Sequence, residues 1–122
     1  AIHWNTHLRS YVVAMNRSCC APGWPQEGIY VSWNANLANP AGWRKPTRLL
    51  SSEQLRDTAG GYYPQLVGVN YGESDTLAGQ IARLYVKGLS HWDVLFLTQR
   101  QLSQPPPDAE PDSTPDARVP SP

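Results

Sequence analysis

Among 122 residues there is one Phe, one Met and only two Cys, and the cysteines are adjacent at positions 19 and 20. Side by side they cannot staple distant elements. Their spacing also fits no zinc pattern, which needs ligands set a few residues apart and repeated. They stand as two free thiols or as a vicinal disulfide; the eight-membered ring departs from relaxed disulfide geometry, which favours thiols. No stretch approaches the ~20 apolar residues of a membrane helix. The opening AIHWNTHLRS lacks the apolar core of a signal peptide. It also lacks an initiator Met and runs straight into strand-like sequence, so the chain reads as part of something longer. Net charge is absent too: ten Lys and Arg balance ten Asp and Glu. That balance hides a split. Asp108, Glu110, Asp112 and Asp116 against Arg118 leave residues 104–122 at −3 and the body at +3. A body charge this small, with no basic run, argues against nucleic acid as a partner. No membrane, metal or cofactor is expected.

Helical periodicity is nearly missing. The one candidate is SSEQLRDTA at 51–59, where Ser51 or Ser52 suits a cap, Glu53 and Gln54 a first turn, and Gly60-Gly61 a stop. What remains is short β-rich runs separated by turn residues. They fall at 2–5, 11–16 (YVVAMN), 28–33 (GIYVSW), 43–50, 62–69 (YYPQLVGV), 81–87 (IARLYVK) and 92–98 (WDVLFLT). Pro46 marks the fourth as an edge. Residues 104–122 hold seven Pro and one large apolar residue, Val119. Such a segment cannot bury enough apolar surface to fold, which predicts a disordered tail. The predicted fold class is therefore all-β: four antiparallel strands, a linker, then three. Repeated four-stranded meanders are the blades of a β-propeller, whereas seven strands by count also suit a small sandwich.

The local text separates these two. IHWNTHLRSYVV followed by PQEGIYVSWNANLANPAGWRKPTRLL, and later YYPQLVG, IARLYVKG and WDVLF, resembles the five-bladed propeller glycoside hydrolases of the arabinanase, β-xylosidase and invertase superfamily. SWNANLANPAGW is similar to the Asp-box turn of sialidase-type propellers. There Asn34 and Asn36 would bond backbone amides and Trp43 would pack back on the sheet. The resemblance implies a partial propeller over 1–103, with one blade at 1–50 and an incomplete last blade at 61–100. Its missing N-terminal blades would be partners, and one of their strands would complete the last blade. It implies a carbohydrate partner, and a secreted or periplasmic location for the parent protein.

Glycoside hydrolysis uses two carboxyl groups, one to protonate the leaving oxygen and one to activate water or attack the sugar. Glu27, beside Gly28 and near Trp24 and Tyr30, resembles the acid of that family. Apolar neighbours would suit it to hold a proton. The second carboxylate would come from absent blades, since Asp57, Glu73, Asp75 and Asp93 match no catalytic pattern. His3, Trp4 and Asn5 form a possible sugar-contacting cluster. Tyr63 and Gln65, two apart on one strand face, form another, and Arg83 would support a carboxylate or sit in a surface ion pair. A sugar-binding propeller without catalysis, or an interaction domain without a ligand, are the competing readings.

Overall fold

The computed structural model describes residues 1–55 and 63–103. The expected disordered tail at 104–122, Asp57 and the Gly60-Gly61 stop lie outside the described residues. In chain order the elements are β1 (Ile2–Asn5), β2 (Ser10–Ser18), β3 (Gln26–Asn34), β4 (Thr47–Ser51), α1 (Ser52–Leu55), β5 (Pro64–Gly68), β6 (Leu77–Ala78), β7 (Ile81–Val86), β8 (Leu89–Leu95) and α2 (Gln99–Leu102). The protein is all-β, with two α-helices of a single turn among the described residues. β1 to β4 make an antiparallel meander, and β5, β7 and β8 make a second. The sequence predicted a four-stranded meander and then a three-stranded one; β6 adds a fifth strand to the first sheet, in the order β4-β3-β2-β1-β6.

Several boundaries differ, each for a local reason. The strand expected over 43–50 starts only at Thr47, because Pro40 opens a short 3-10 turn at Pro40–Gly42. β3 begins at Gln26, two residues before the expected start at Gly28, so Glu27 is part of the strand. β6, two residues long, pairs in parallel with β1 and is too short to show any periodicity. The expected strand over 92–98 runs instead from Leu89 to Leu95, and α2 follows it. α2 is closed by a capping box: Thr98 accepts from the Gln101 N–H, and Gln101 accepts from the Thr98 N–H. α1 is capped the same way, with Ser51 and Gln54 exchanging side-chain and backbone bonds.

The two meanders share one core. Strand alternation sends Val12 and Ala14 of β2 inward, with Ile29 and Val31 of β3. From the other meander come Leu66, Ala82, Leu84, Val86, Val94 and Phe96, and Leu55 of α1 plugs the side. Burying one such Leu or Val contributes about 1.5–3 kcal/mol. The β7–β8 hairpin closes through Lys87 and Gly88, both at positive φ. Two such residues are what a two-residue turn needs to match strand twist.

One buried side chain joins the meanders. Asn5 is 0 % exposed. Its Oδ1 accepts the N–H groups of His7 (3.1 Å) and Leu8 (2.9 Å), which closes the β1–β2 turn. Its Nδ2 donates to the Gly79 carbonyl at 3.0 Å, across to the β6–β7 connection. Backbone bonds from Trp4 to Thr76 and from Thr6 to Ala78 lie on either side. A different constraint fixes the edge. Gly28 sits at φ +137, and a Cβ there would fall 2.1 Å from the Leu50 carbonyl oxygen. Only glycine lets β4 approach so closely.

Asn5→Ala leaves two N–H groups and a carbonyl without partners, and should lower stability by about 3 kcal/mol or more. Urea unfolding at neutral pH measures this; a variant within about 0.5 kcal/mol of the parent would show that Asn5 is not the joint. Gly28→Ala should be at least as damaging, because backbone stands in the way of the new methyl.

Candidate functional site

The two ends of the sheets differ chemically. At one end, asparagines close the turns. Asn34 repeats what Asn5 does: its Oδ1 accepts the Asn36 N–H (3.0 Å) and its Nδ2 donates to the Asn39 carbonyl (2.8 Å). Asn36 in turn accepts from the Ala38 N–H. Asn34 and Asn36 therefore bond backbone amides, the scaffolding work expected of them.

At the other end lie the starts of β1, β3 and β5 and the end of β2. A groove of about 440 Å³ opens there, lined by Ala1, Met15, Asn16, Tyr63, Pro64 and Gln65. β5 alternates, so Pro64 and Leu66 turn into the core while Tyr63 and Gln65 face outward. Tyr63 is 75 % exposed. Its φ of +58 is in the left-handed region, where a bulky residue is rare and costs about 1–3 kcal/mol. Gln65 Nε2 donates to Asp75 Oδ2 at 3.3 Å, which places that carboxylate beside the groove wall.

Glu27 stands at this same end. The register sets Arg17 opposite Gly28, and Arg17 Nε lies 3.0 Å from Glu27 Oε1, both side chains reaching solvent. The aromatic shielding expected around Glu27 is corrected here. Trp24 is 61 % exposed, and a guanidinium is what the carboxylate meets. The loop between β2 and β3 holds Cys19 and Cys20, which are joined as a vicinal disulfide where thiols were favoured. Backbone bonds from Cys19 to Pro25 and from Trp24 to Cys20 close that loop.

The expected cluster of His3, Trp4 and Asn5 is divided by strand alternation, which turns neighbours to opposite faces. His3 and Asn5 point into the core. His3 is 3 % exposed and meets Phe96 edge-on at 5.9 Å. Trp4 points the other way and stacks edge-on with Tyr11 at 4.8 Å. Arg83 takes the ion-pair alternative, donating to Asp93 at 2.9 Å and to the Ser90 carbonyl. Glu73, one of the spare carboxylates, accepts the Asn70 N–H and packs on Gly68 and Gly79. The groove thus unites Tyr63 and Gln65, with Glu27 at the same end. It excludes His3, Trp4, Asn5 and Arg83. Asn16 and Met15 were missed, although a polar Asn ending the YVVAMN run was a visible signal of a strand leaving the core.

His3 is held below its ordinary pKa, chiefly because burial penalises the charged ring; the Glu73 carboxylate opposes this more weakly. The hydrogen bonding agrees. Asn5 Nδ2 can only donate, so His3 Nε2, 3.2 Å away, accepts and carries no proton.

Among the described residues, no three His, Cys, Asp or Glu gather closely enough to hold a metal ion. No described helix is long and apolar enough to cross a membrane. No family model, curated protein or solved structure matches the chain.

A depressed histidine pKa makes stability depend on pH with a defined sign. Above pH ~6.5 neither the folded nor the unfolded state binds the proton, and the contribution is complete. As pH falls below ~6.5 the unfolded state gains a proton that the folded state refuses, so stability drops by up to about 1.4 kcal/mol per pH unit. His3→Gln keeps an acceptor for Asn5 and removes the titration. Urea midpoints between pH 7.5 and 5 should fall more steeply in the parent than in His3→Gln; parallel slopes would remove His3 from the account.

Proposed function

We propose that the two meanders are neighbouring blades of a larger carbohydrate-active propeller, and that the groove at their shared end contacts the glycan. The observation that carries this is Tyr63. An exposed aromatic ring, held in an unfavourable backbone conformation beside the amides of Gln65 and Asn16, offers a sugar a stacking face and hydroxyl partners. Two further observations support the propeller arrangement. Among the described residues no strand pairs with the outer edge of β8, and Leu89 and Leu95 are exposed along that strand. A fourth strand from preceding sequence would cover that edge, which otherwise invites association.

In the catalytic form of this reading Glu27 protonates the leaving oxygen and a carboxylate from an absent blade activates water. Arg17 would then have to swing away from Glu27, and the exposure of both side chains permits that. In the non-catalytic form, Tyr63, Gln65 and Asn16 bind the sugar and the Arg17–Glu27 pair stays closed. The pairing seen here favours binding over hydrolysis within this chain.

The parent protein, extended upstream, should be screened for hydrolysis and binding of aryl glycosides and plant or glycan oligosaccharides. Tyr63→Ala should weaken binding at least about tenfold, as loss of one stacked aromatic does. Glu27→Gln should abolish hydrolysis if any is found and leave binding nearly intact. Binding that survives Tyr63→Ala unchanged would move the sugar site elsewhere; hydrolysis that survives Glu27→Gln would move the acid.

A further inference from the structure

At the end opposite the groove lies a second cleft, of about 410 Å³, between the 35–44 loop and the α2 turn. Leu97 and Leu102 wall one side, and Leu102 is 60 % exposed. Trp33, Asn39, Arg44 and Gln99 supply the polar side. Their backbones are fixed where the loop meets β3. Arg44 N–H donates to the Trp33 carbonyl at 3.0 Å, Ser32 Oγ donates to the Arg44 carbonyl, and Asn34 Nδ2 holds the Asn39 carbonyl. Gly42 lets this loop press down, since a Cβ there would stand 2.7 Å from Asn34 Oδ1.

Their polar side-chain groups, in contrast, are unpaired, although the Trp33 ring also packs in part against the core. The Trp33 indole N–H, the Asn39 and Gln99 amides and the Arg44 guanidinium bond no other described residue. Arg44 is the only ionisable group in the lining, and no carboxylate there neutralises it. A backbone-clamped set of spare donors around one uncompensated cation, next to uncovered leucine, defines a ligand. It needs a carboxylate for the guanidinium fork, hydroxyls for the two amides, and a ring with an apolar face for Trp33.

We propose that this cleft binds an acidic sugar, a hydroxylated ring carrying one carboxylate, independently of the groove at the other end. The carboxylate sits on Arg44, the hydroxyls on Asn39 and Gln99, and the ring face on Trp33. This site does not rest on the carbohydrate reading of the groove, and different residues test it.

The test titrates the full chain with D-glucuronate and, in parallel, with D-glucose, followed by tryptophan fluorescence and saturation-transfer NMR. Glucuronate should bind about tenfold or more tightly than glucose, with the preference shrinking as salt rises. Arg44→Gln should erase the preference, and Arg44→Lys should keep part of it, because the point charge survives while the fork is lost. Tyr63→Ala should leave it unchanged. Matching circular dichroism and thermal midpoints among the variants show that the fold is intact. No saturable glucuronate binding by the parent chain, equal affinity for the two sugars, or a preference that persists in Arg44→Gln would each overturn the proposal. A preference lost in Tyr63→Ala and kept in Arg44→Gln would place the acidic sugar in the groove and overturn it equally.

Discussion

The architecture depends on the complete satisfaction of one buried amide. Asn5 has two acceptor sites and two donor hydrogens, and all four are engaged: two turn amides, one carbonyl of the β6–β7 connection and one imidazole nitrogen. A buried polar group is tolerable only on those terms, since each unmade bond costs about 1–3 kcal/mol. Because the bonds run both within the first meander and across to the second, Asn5 sets the turn and the sheet-to-sheet placement together. The neutral state of His3 follows from the same constraint, because a protonated Nε2 would confront the amide it now accepts from.

That joint lies at one end of the sheets, and its position decides what the opposite end can be. With β1 tied to β6 near Asn5, the meanders are pinned there by backbone and side-chain bonds. At the starts of β1 and β5 the groove opens between Ala1, Asn16 and Tyr63. The β2–β3 loop carries Trp24 and the disulfide to the same side, and Glu27 stands at the start of β3 beside it. Glu27, Trp24, Tyr63 and the disulfide thus share one end, set by loops and strand starts on a rigid scaffold.

Strand order was legible in the sequence because period-two alternation and turn residues are local signals. YVVAMN, GIYVSW and IARLYVK each show them, and each became a strand. Boundaries were less legible where tertiary bonding decided. β6 exists because its two residues meet β1, and β4 is shortened by the turn that Pro40 opens. The site was legible in half. Tyr63 and Gln65 share a face by spacing alone, and that inference needs no neighbour. His3, Trp4 and Asn5 were grouped by adjacency, yet adjacency on a strand separates side chains. The pairings of Arg17 with Glu27 and Arg83 with Asp93 are cross-strand relations, visible only once register is known.

The distribution of backbone strain separates scaffolding from site. Lys87 with Gly88 takes positive φ where a two-residue hairpin requires it, so that geometry is explained by strand twist. Trp24 and Tyr63 have no such excuse in a hairpin, and both are large aromatics that disfavour the left-handed region. Each conformation must be imposed by its surroundings against about 1–3 kcal/mol. For Tyr63 the surroundings include Pro64, fixed in the core, and the Lys87 N–H that donates to the Tyr63 carbonyl at 3.4 Å. A stability-driven sequence would place glycine or asparagine at both positions. Keeping exposed aromatic rings there, at the same end as the groove, fits the proposed contact with a glycan, and under that proposal the strained aromatics, more than the carboxylate of Glu27, form the contacting face.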